Sequence, residues 1–260
     1  MTLALPKVAA SYRAIRVWQR HRDVFLNIWW SEVIWGLVEP VITLAALGLG
    51  LGEFVEIEGE ESYLDFVAPG LLAVFPMWAA SAEAGWGSYF RMENLRTFEA
   101  MLATPLSVDD VTTGEVGWAA TRGVISSIYI LAVIAAFGTV QSLWALLVPL
   151  VGVVAGFLFG AVSLSYTAIA RSISSLNYFF AVYITPQFWL SGAFFPLDKL
   201  PSWVGKAAWW APASHAANAH RALVTGGIGW GLLADVAWMA LAAFLFYLLA
   251  LALMRRRLIR

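Results

Sequence analysis

The chain comprises 260 residues, of which 61% are hydrophobic and 13% charged, with a mean hydropathy of +0.75. A soluble domain carries roughly 45–50% apolar and about 25% charged residues, so the composition excludes an ordinary soluble fold and makes lipid the solvent. The absence of cysteine excludes a disulfide framework and a thiolate metal site, while the net charge of −1 hides a segregation of charge along the chain.

Six apolar stretches approach the ~20 residues needed to cross a bilayer, at 27–51, 66–88, 117–138, 144–170, 178–196 and 231–254. The expected fold class is therefore an all-α membrane protein with six transmembrane helices. Lys7, Arg13, Arg16, Arg20 and Arg22 precede the first stretch, and Arg255, Arg256, Arg257 and Arg260 follow the last. By the positive-inside rule both termini are cytoplasmic. The first loop, with Glu53, Glu56, Glu58, Glu60, Glu61 and Asp65 and no basic residue, falls outside, whereas Arg91, Arg96 and Arg171 mark the second and fourth loops as cytoplasmic. The first apolar run exceeds a signal-peptide h-region, so the N-terminus is expected to be retained. Residues 1–26 carry Val8, Tyr12, Ile15 and Trp18 at helical spacing opposite Arg13, Arg16 and Arg20, the pattern of an interfacial helix lying on the cytoplasmic leaflet.

Further along, the second loop reads TFEAMLATP from Thr97 to Pro105, a short amphipathic helix, followed by Ser107 and Asp110 at capping-box spacing. Phe98, Met101 and Leu102 are expected to be exposed there as a docking surface. In the fourth stretch Gly152, Gly156 and Gly160 permit close approach of a neighbouring helix. Pro40, Pro69, Pro76, Pro149 and Pro186 fall in or near span interiors, where freed carbonyls need other partners. Residues 197–230 are too interrupted for two spans and too apolar for a turn. Trp203, Trp209, Trp210 and His215 there suggest outer re-entrant or interfacial helices between spans five and six.

Enzyme chemistry finds no support. The lone Gly-Lys pair, Gly205-Lys206, has Leu200 where a P-loop needs its first glycine, and His215 and His220 are five apart rather than the four of a helical zinc pair. The intramembrane charges Glu39, Glu83 and Arg122 admit two readings: a proton relay, or a structural pair in which Arg122 is neutralised by Glu83 or Glu39. Glu32 and Asp235 are placed near the interfaces.

The ordered set LGLGLG (47–52), SYLDFVAPGLLA (62–73), RTFEAMLATPLSVDDVTTGEVGWAATR (96–122), FWLSGAFFPLDKLP (188–201) and the terminal RRRLIR resembles the ABC-2 permease family over almost the whole chain, most closely its nodulation-factor, lipo-oligosaccharide exporter permeases. The resemblance implies one ABC-2 transmembrane domain over 1–260 in the bacterial inner membrane. It implies a permease without its own P-loop or cofactor, paired as two copies with two copies of a separate ATPase that binds ATP and Mg, and moving a lipid-linked oligosaccharide, polysaccharide or similar amphiphile outwards. Membrane lipids are partners and nucleic acid is not. Thr97, Phe98, Glu99, Met101 and Leu102 would form the cytoplasmic coupling helix, spans one and five would line the path, and Trp203, Trp209, Trp210 and His215 would belong to the outer gate. Drug efflux, or less readily proton-coupled transport, stands as the alternative.

Overall fold

The computed structural model describes residues 10–50, 52, 54 and 62–259. Lys7, Val8, Arg260 and the first-loop residues Glu53, Glu56, Glu58, Glu60 and Glu61 lie outside the described residues. The architecture is helical: α1 (Ala14–Leu44, continued as a π turn to Gly50), α2 (Tyr63–Ala82), α3 (Thr97–Leu102), α4 (Val108–Ala136), α5 (Val148–Ile169), α6 (Ile173–Phe179), α7 (Thr185–Leu190), α8 (Ser202–Trp209), α9 (Pro212–Thr225) and α10 (Trp230–Leu258). Among the described residues, five helices are long and apolar enough to cross a membrane: Ala14–Gly48, Tyr63–Asn94, Val108–Ala136, Leu143–Ile169 and Trp230–Leu258.

Two elements depart from the sequence reading. The helix assigned to the interface and the first span are one continuous α1, because nothing between Ala14 and Trp35 is glycine or proline to break it. Its first turns also lie against α4 rather than apart from the bundle: the Trp18 indole donates to Thr121 Oγ1 at 2.8 Å, and the His21 ring stacks on Trp118. The stretch expected as span five, 178–196, is helical only to Leu190 and is interrupted by a π turn at Phe180–Ile184. Gly192 in the left-handed region (φ 81°) and Pro196 turn the chain before a longer helix is made.

Bundle packing follows the small residues. A Cβ at Gly156 would meet the Ala120 carbonyl oxygen at 2.9 Å and the Gly123 Cα at 3.2 Å, so α4 and α5 approach almost backbone to backbone. Pro149 stands in the first turn of α5, where no helical N–H is lost, whereas Pro186 follows the π turn Phe180–Ile184 inside the unbroken helical stretch 173–190, and Pro40, Pro69 and Pro76 lie inside α1 and α2.

The helix ends sort into two sides. At one, α3 and the start of α4 meet the ends of α5 and α10. Ser107 caps α4 in a full capping box with Asp110, whose carboxylate also accepts from the Ser11 amide at 2.6 Å. Arg13 donates to the Pro105 carbonyl at 2.5 Å, and Arg255 grips Asp109 through Nε at 2.6 Å. Arg257 donates to the carbonyls of Ala168 (3.0 Å) and Ala170 (2.5 Å) at the end of α5, where a cation satisfies orphan acceptors and meets the negative end of the helix dipole. At the other side, α9 wedges against the starts of α2 and α10, and Arg221 donates to the carbonyls of Phe66 (3.2 Å) and Gly192 (3.1 Å).

Candidate functional site: a charged cleft in the bundle and a docking face at its end

A cleft of about 400 Å³ opens between α1, α2 and α4. Its lining is set by helical period. Glu32, Trp35 and Glu39 form a stripe on α1, Trp78, Ala82 and Trp86 lie successive turns apart along α2 with Glu83 beside them, and Arg122, Ser126 and Tyr129 come from α4. The π turn Glu83–Gly87 widens the α2 helix where Glu83 enters the cleft, and Gly87 leaves room for its partner: a Cβ there would stand 3.1 Å from both Arg91 Nη1 and Glu83 Oε1.

One end of the cleft is closed by a chain of charges. His21 Nε2 lies 2.8 Å from Glu115 Oε1; Glu115 Oε2 accepts from Ser88 Oγ and from Arg91 Nη2, both at 2.6 Å. Arg91 Nη1 then donates to Glu83 Oε1 at 2.8 Å, Glu83 Oε2 lies 3.7 Å from Arg122 Nε, and Arg122 pairs with Glu32. Three helices are thereby tied by four guanidinium–carboxylate contacts and one imidazole–carboxylate contact. Since guanidinium groups keep their protons at any physiological pH, this chain couples helices by charge and offers no proton path along its length.

The structure thus joins Arg122 to Glu83, as one sequence reading had it, and to Glu32, which the sequence reading left at the interface. Glu39 takes no part: it is exposed to the cleft and has no partner among the described residues. Sequence reasoning missed Glu115, whose side chain is 0% exposed, along with His21, Ser88 and Arg91. A signal was present. Continuing the α4 stripe 129–126–122 one and two turns towards the N-terminus lands on Trp118 and Glu115, but Glu115 fell two residues outside the span drawn by hydropathy.

At the end of the bundle, α3 borders a second cleft of about 800 Å³, with Phe98 and Leu102 on one wall and Ile169, Arg171, Arg256 and Arg257 among the others. Here the expectation of an exposed apolar triad is corrected. Phe98 is 1% and Met101 8% exposed, and Leu102 is half-buried, because the apolar face of this six-residue helix turns inward onto the protein's own core. What faces out is Glu99 and Ala100, with Leu95 70% exposed just before the helix and Thr97 half-buried at its start. Arg96 enters the helix with φ 49°, the lone positive φ at a non-glycine position among the described residues.

At the opposite end, Trp203, Trp209 and Trp210 on and after α8 are more than half exposed. His215 is buried instead, with Nδ1 2.7 Å from Asp235 Oδ1 and Nε2 2.8 Å from the Trp209 carbonyl, and its ring stacked on Trp238; it clasps α8, α9 and α10 together. Burial holds the His220 imidazole down to about 4, so it is neutral at ordinary pH and its Nδ1–H donates to the Ala216 carbonyl at 2.8 Å. No group of three or more His, Asp or Glu that could hold a metal ion occurs among the described residues.

The family described as ABC-2 type transporter matches residues 13–225. Nodulation protein J of Rhizobium leguminosarum bv. trifolii is 35% identical over 257 residues, 99% of this chain and 97% of that protein. Nodulation protein J of Rhizobium meliloti is 31% identical over 259 residues (98% and 97%), and the inner membrane transport permease YadH of Escherichia coli is 27% identical over 195 residues (73% and 74%).

Proposed function

The chain belongs to the ABC-2 type transporter family and is the multi-pass transmembrane permease subunit of an ATP-driven exporter, and we propose that it moves a lipo-oligosaccharide or closely similar lipid-linked glycan across the bacterial inner membrane. Hydrolysis belongs to a separate ABC ATPase, since members of this family are transport subunits without one of their own. In this reading ATP and Mg are bound by that partner, two permeases assemble with two ATPases, and the chain is one domain of six spans with the helical stretch 173–190 as the fifth. Both termini are cytoplasmic, a side supported by the arginines gathered there: Arg13, Arg16, Arg20 and Arg22 near one end, and Arg255, Arg256 and Arg257 near the other. The resemblance of the sequence motifs to lipo-oligosaccharide exporter permeases and the aromatic lining of the bundle cleft favour the glycan cargo.

The observation that carries the mechanism is the anchoring of α3. Its Phe98 is locked in the core, and around it Arg257 reaches Glu93 at 2.7 Å while also holding the end of α5, and Arg255 holds Asp109 at the start of α4. A push on α3 therefore acts on a braced platform rather than on a compliant loop. In this reading the ATPase grips the outward side, Thr97, Glu99 and Ala100 with Leu95, and fills the adjoining 800 Å³ cleft beside Leu102, while Phe98 and Met101 pass the motion inward. The half-exposed tryptophans of α8, with His215 as their hinge point, form the outer gate.

The cysteine-free chain allows a direct test. Single cysteines at 97–102, in the permease purified with its ATPase, should cross-link to the ATPase at Glu99 and Ala100 and not at Phe98 or Met101. If no position in that window cross-links while transport is intact, coupling enters elsewhere.

A further inference from the structure

We infer that the cleft between α1, α2 and α4 is a binding subsite for a neutral, polyhydroxylated ring, a saccharide unit of the transported molecule. This deepens the exporter reading and rests on it for the presence of such a unit in the cargo, whereas the binding itself is measurable without transport.

Two polar groups of opposite sense line this cleft, the Glu39 carboxylate and the Arg122 guanidinium. Glu39 is an acceptor with no partner among the described residues. Arg122 Nε is a buried donor that makes no hydrogen bond, its nearest carboxylate oxygen standing at 3.7 Å. An ammonium group brings donors alone, so it would serve Glu39 and offer nothing to the Arg122 guanidinium. A phosphate or carboxylate brings acceptors alone, so it would serve Arg122 and be repelled by Glu39, Glu32 and Glu83. Hydroxyl groups donate and accept, and a ring bearing several of them satisfies both ends at once. The span fits as well, since Glu32, which pairs Arg122, and Glu39 lie seven residues apart, about 10 Å along α1.

The walls complete the match. Trp35, Trp78, Trp86 and Tyr129 offer flat apolar faces of the kind on which the C–H face of a sugar ring rests. Two of these rings are already fixed. Trp86 stacks on Phe180 at 3.7 Å and donates its indole N–H to Asn177 Oδ1 at 3.1 Å, and Trp78 meets both rings edge-on. The cleft therefore stays open rather than closing on its own aromatics, and this pre-organisation lowers the ordering cost of binding. Its volume of about 400 Å³ falls within the ~300–1,000 Å³ of small-ligand sites.

The test uses the permease–ATPase complex in lipid nanodiscs and three photoreactive probes sharing one alkyl chain, with a maltoside, a primary ammonium or a phosphate headgroup. The maltoside should label peptides of 32–40, 75–87 and 122–129 and be displaced by unlabelled alkyl maltoside. Glu39→Leu, which removes a carboxylate from an apolar span and so inserts at least as well, should cut that labelling about ten-fold or more, the equivalent of one hydrogen bond to a charged group. Trp78→Ala should lower it as well. Preferential labelling by the ammonium or phosphate probe, or maltoside labelling indifferent to Glu39→Leu, overturns the assignment. Loss of ATPase association with the maltoside adducts still dependent on Glu39 would sustain the subsite and sink the exporter reading, so the two failures are separable.

Discussion

The two ends of the bundle are held by different forces. At the α3 end, distant segments meet through charge: Arg255 with Asp109, Arg257 with Glu93 and with the carbonyls of α5, Arg91 with Glu115 and Glu83, and His21 with Glu115. At the α9 end, buried small residues such as Ala213, Ala216 and Ala217 pack together, the His215–Asp235 clasp and Arg221 on the carbonyls of Phe66 and Gly192 are polar ties among the described residues, and the α8 tryptophans stand out from the surface. Directional contacts resist deformation, so the larger number of ion pairs braces the first end more firmly. The second is joined mainly by non-directional packing, which tolerates sliding. In the proposed reading, the element that receives force sits at the first end and the element that opens at the second.

The largest effect that would break this contrast lies at Glu115. Removing one partner of a buried ion pair costs about 3–5 kcal/mol, and Glu115→Ala strands both Arg91 and His21. Thermal unfolding of the purified permease should shift down steeply, and the joint replacement Glu115→Leu with Arg91→Met should recover much of the loss. A parental melting curve for Glu115→Ala would show that charge does not brace this end.

Acid sharpens the comparison from the other side. His220 titrates near 4 in the fold against about 6.5 in an exposed chain, so its folded value is depressed. Below pH ~6.5 the loosened state binds the proton first, and stability present above that value is lost as the pH falls towards 4, by up to roughly 3 kcal/mol. Protection factors across 212–225, with exchange corrected for the intrinsic pH dependence of amide exchange, should therefore fall between pH 7 and 5, and His220→Gln should flatten that fall. Protection factors that stay constant over this range in the parent chain would remove His220 as the weak point.

Smallest of all is Glu99→Ala. Its contact with Arg96 is 3.6 Å long and exposed, so stability should stay within about 0.5 kcal/mol. Its effect should show only as weaker, salt-sensitive ATPase association. A large fall in melting temperature would mean that α3 depends on its outer face and not on Phe98.

Much of this was legible beforehand. Apolar length alone located the long helices, and Ser107 with Asp110 announced the start of α4. The short helix 97–102 was readable too, but not which way it faced: the pattern of Phe98 and Met101 gives an apolar side without saying whether a partner or the chain's own core covers it. Arg122 was visible as a charge needing neutralisation. Its choice of Glu32 and Glu83 over Glu39 was not, because all three carboxylates lie within reach by helical spacing alone.

The sequence by itself determined that this protein lives in lipid, that it is helical, which family it resembles and that it carries no nucleotide-binding loop, since these follow from composition, run length and local motif. Only the tertiary structure decided that Glu115 is the hub of the charge chain, that Phe98 is internal, that α1 runs unbroken out of the expected interfacial segment, and that Glu39 and Arg122 line one cleft without pairing. The physical reason is that pairing and burial depend on which helix faces which. That choice is made by close approach at positions such as Gly123 and Gly156 and by angles that a periodic pattern leaves free.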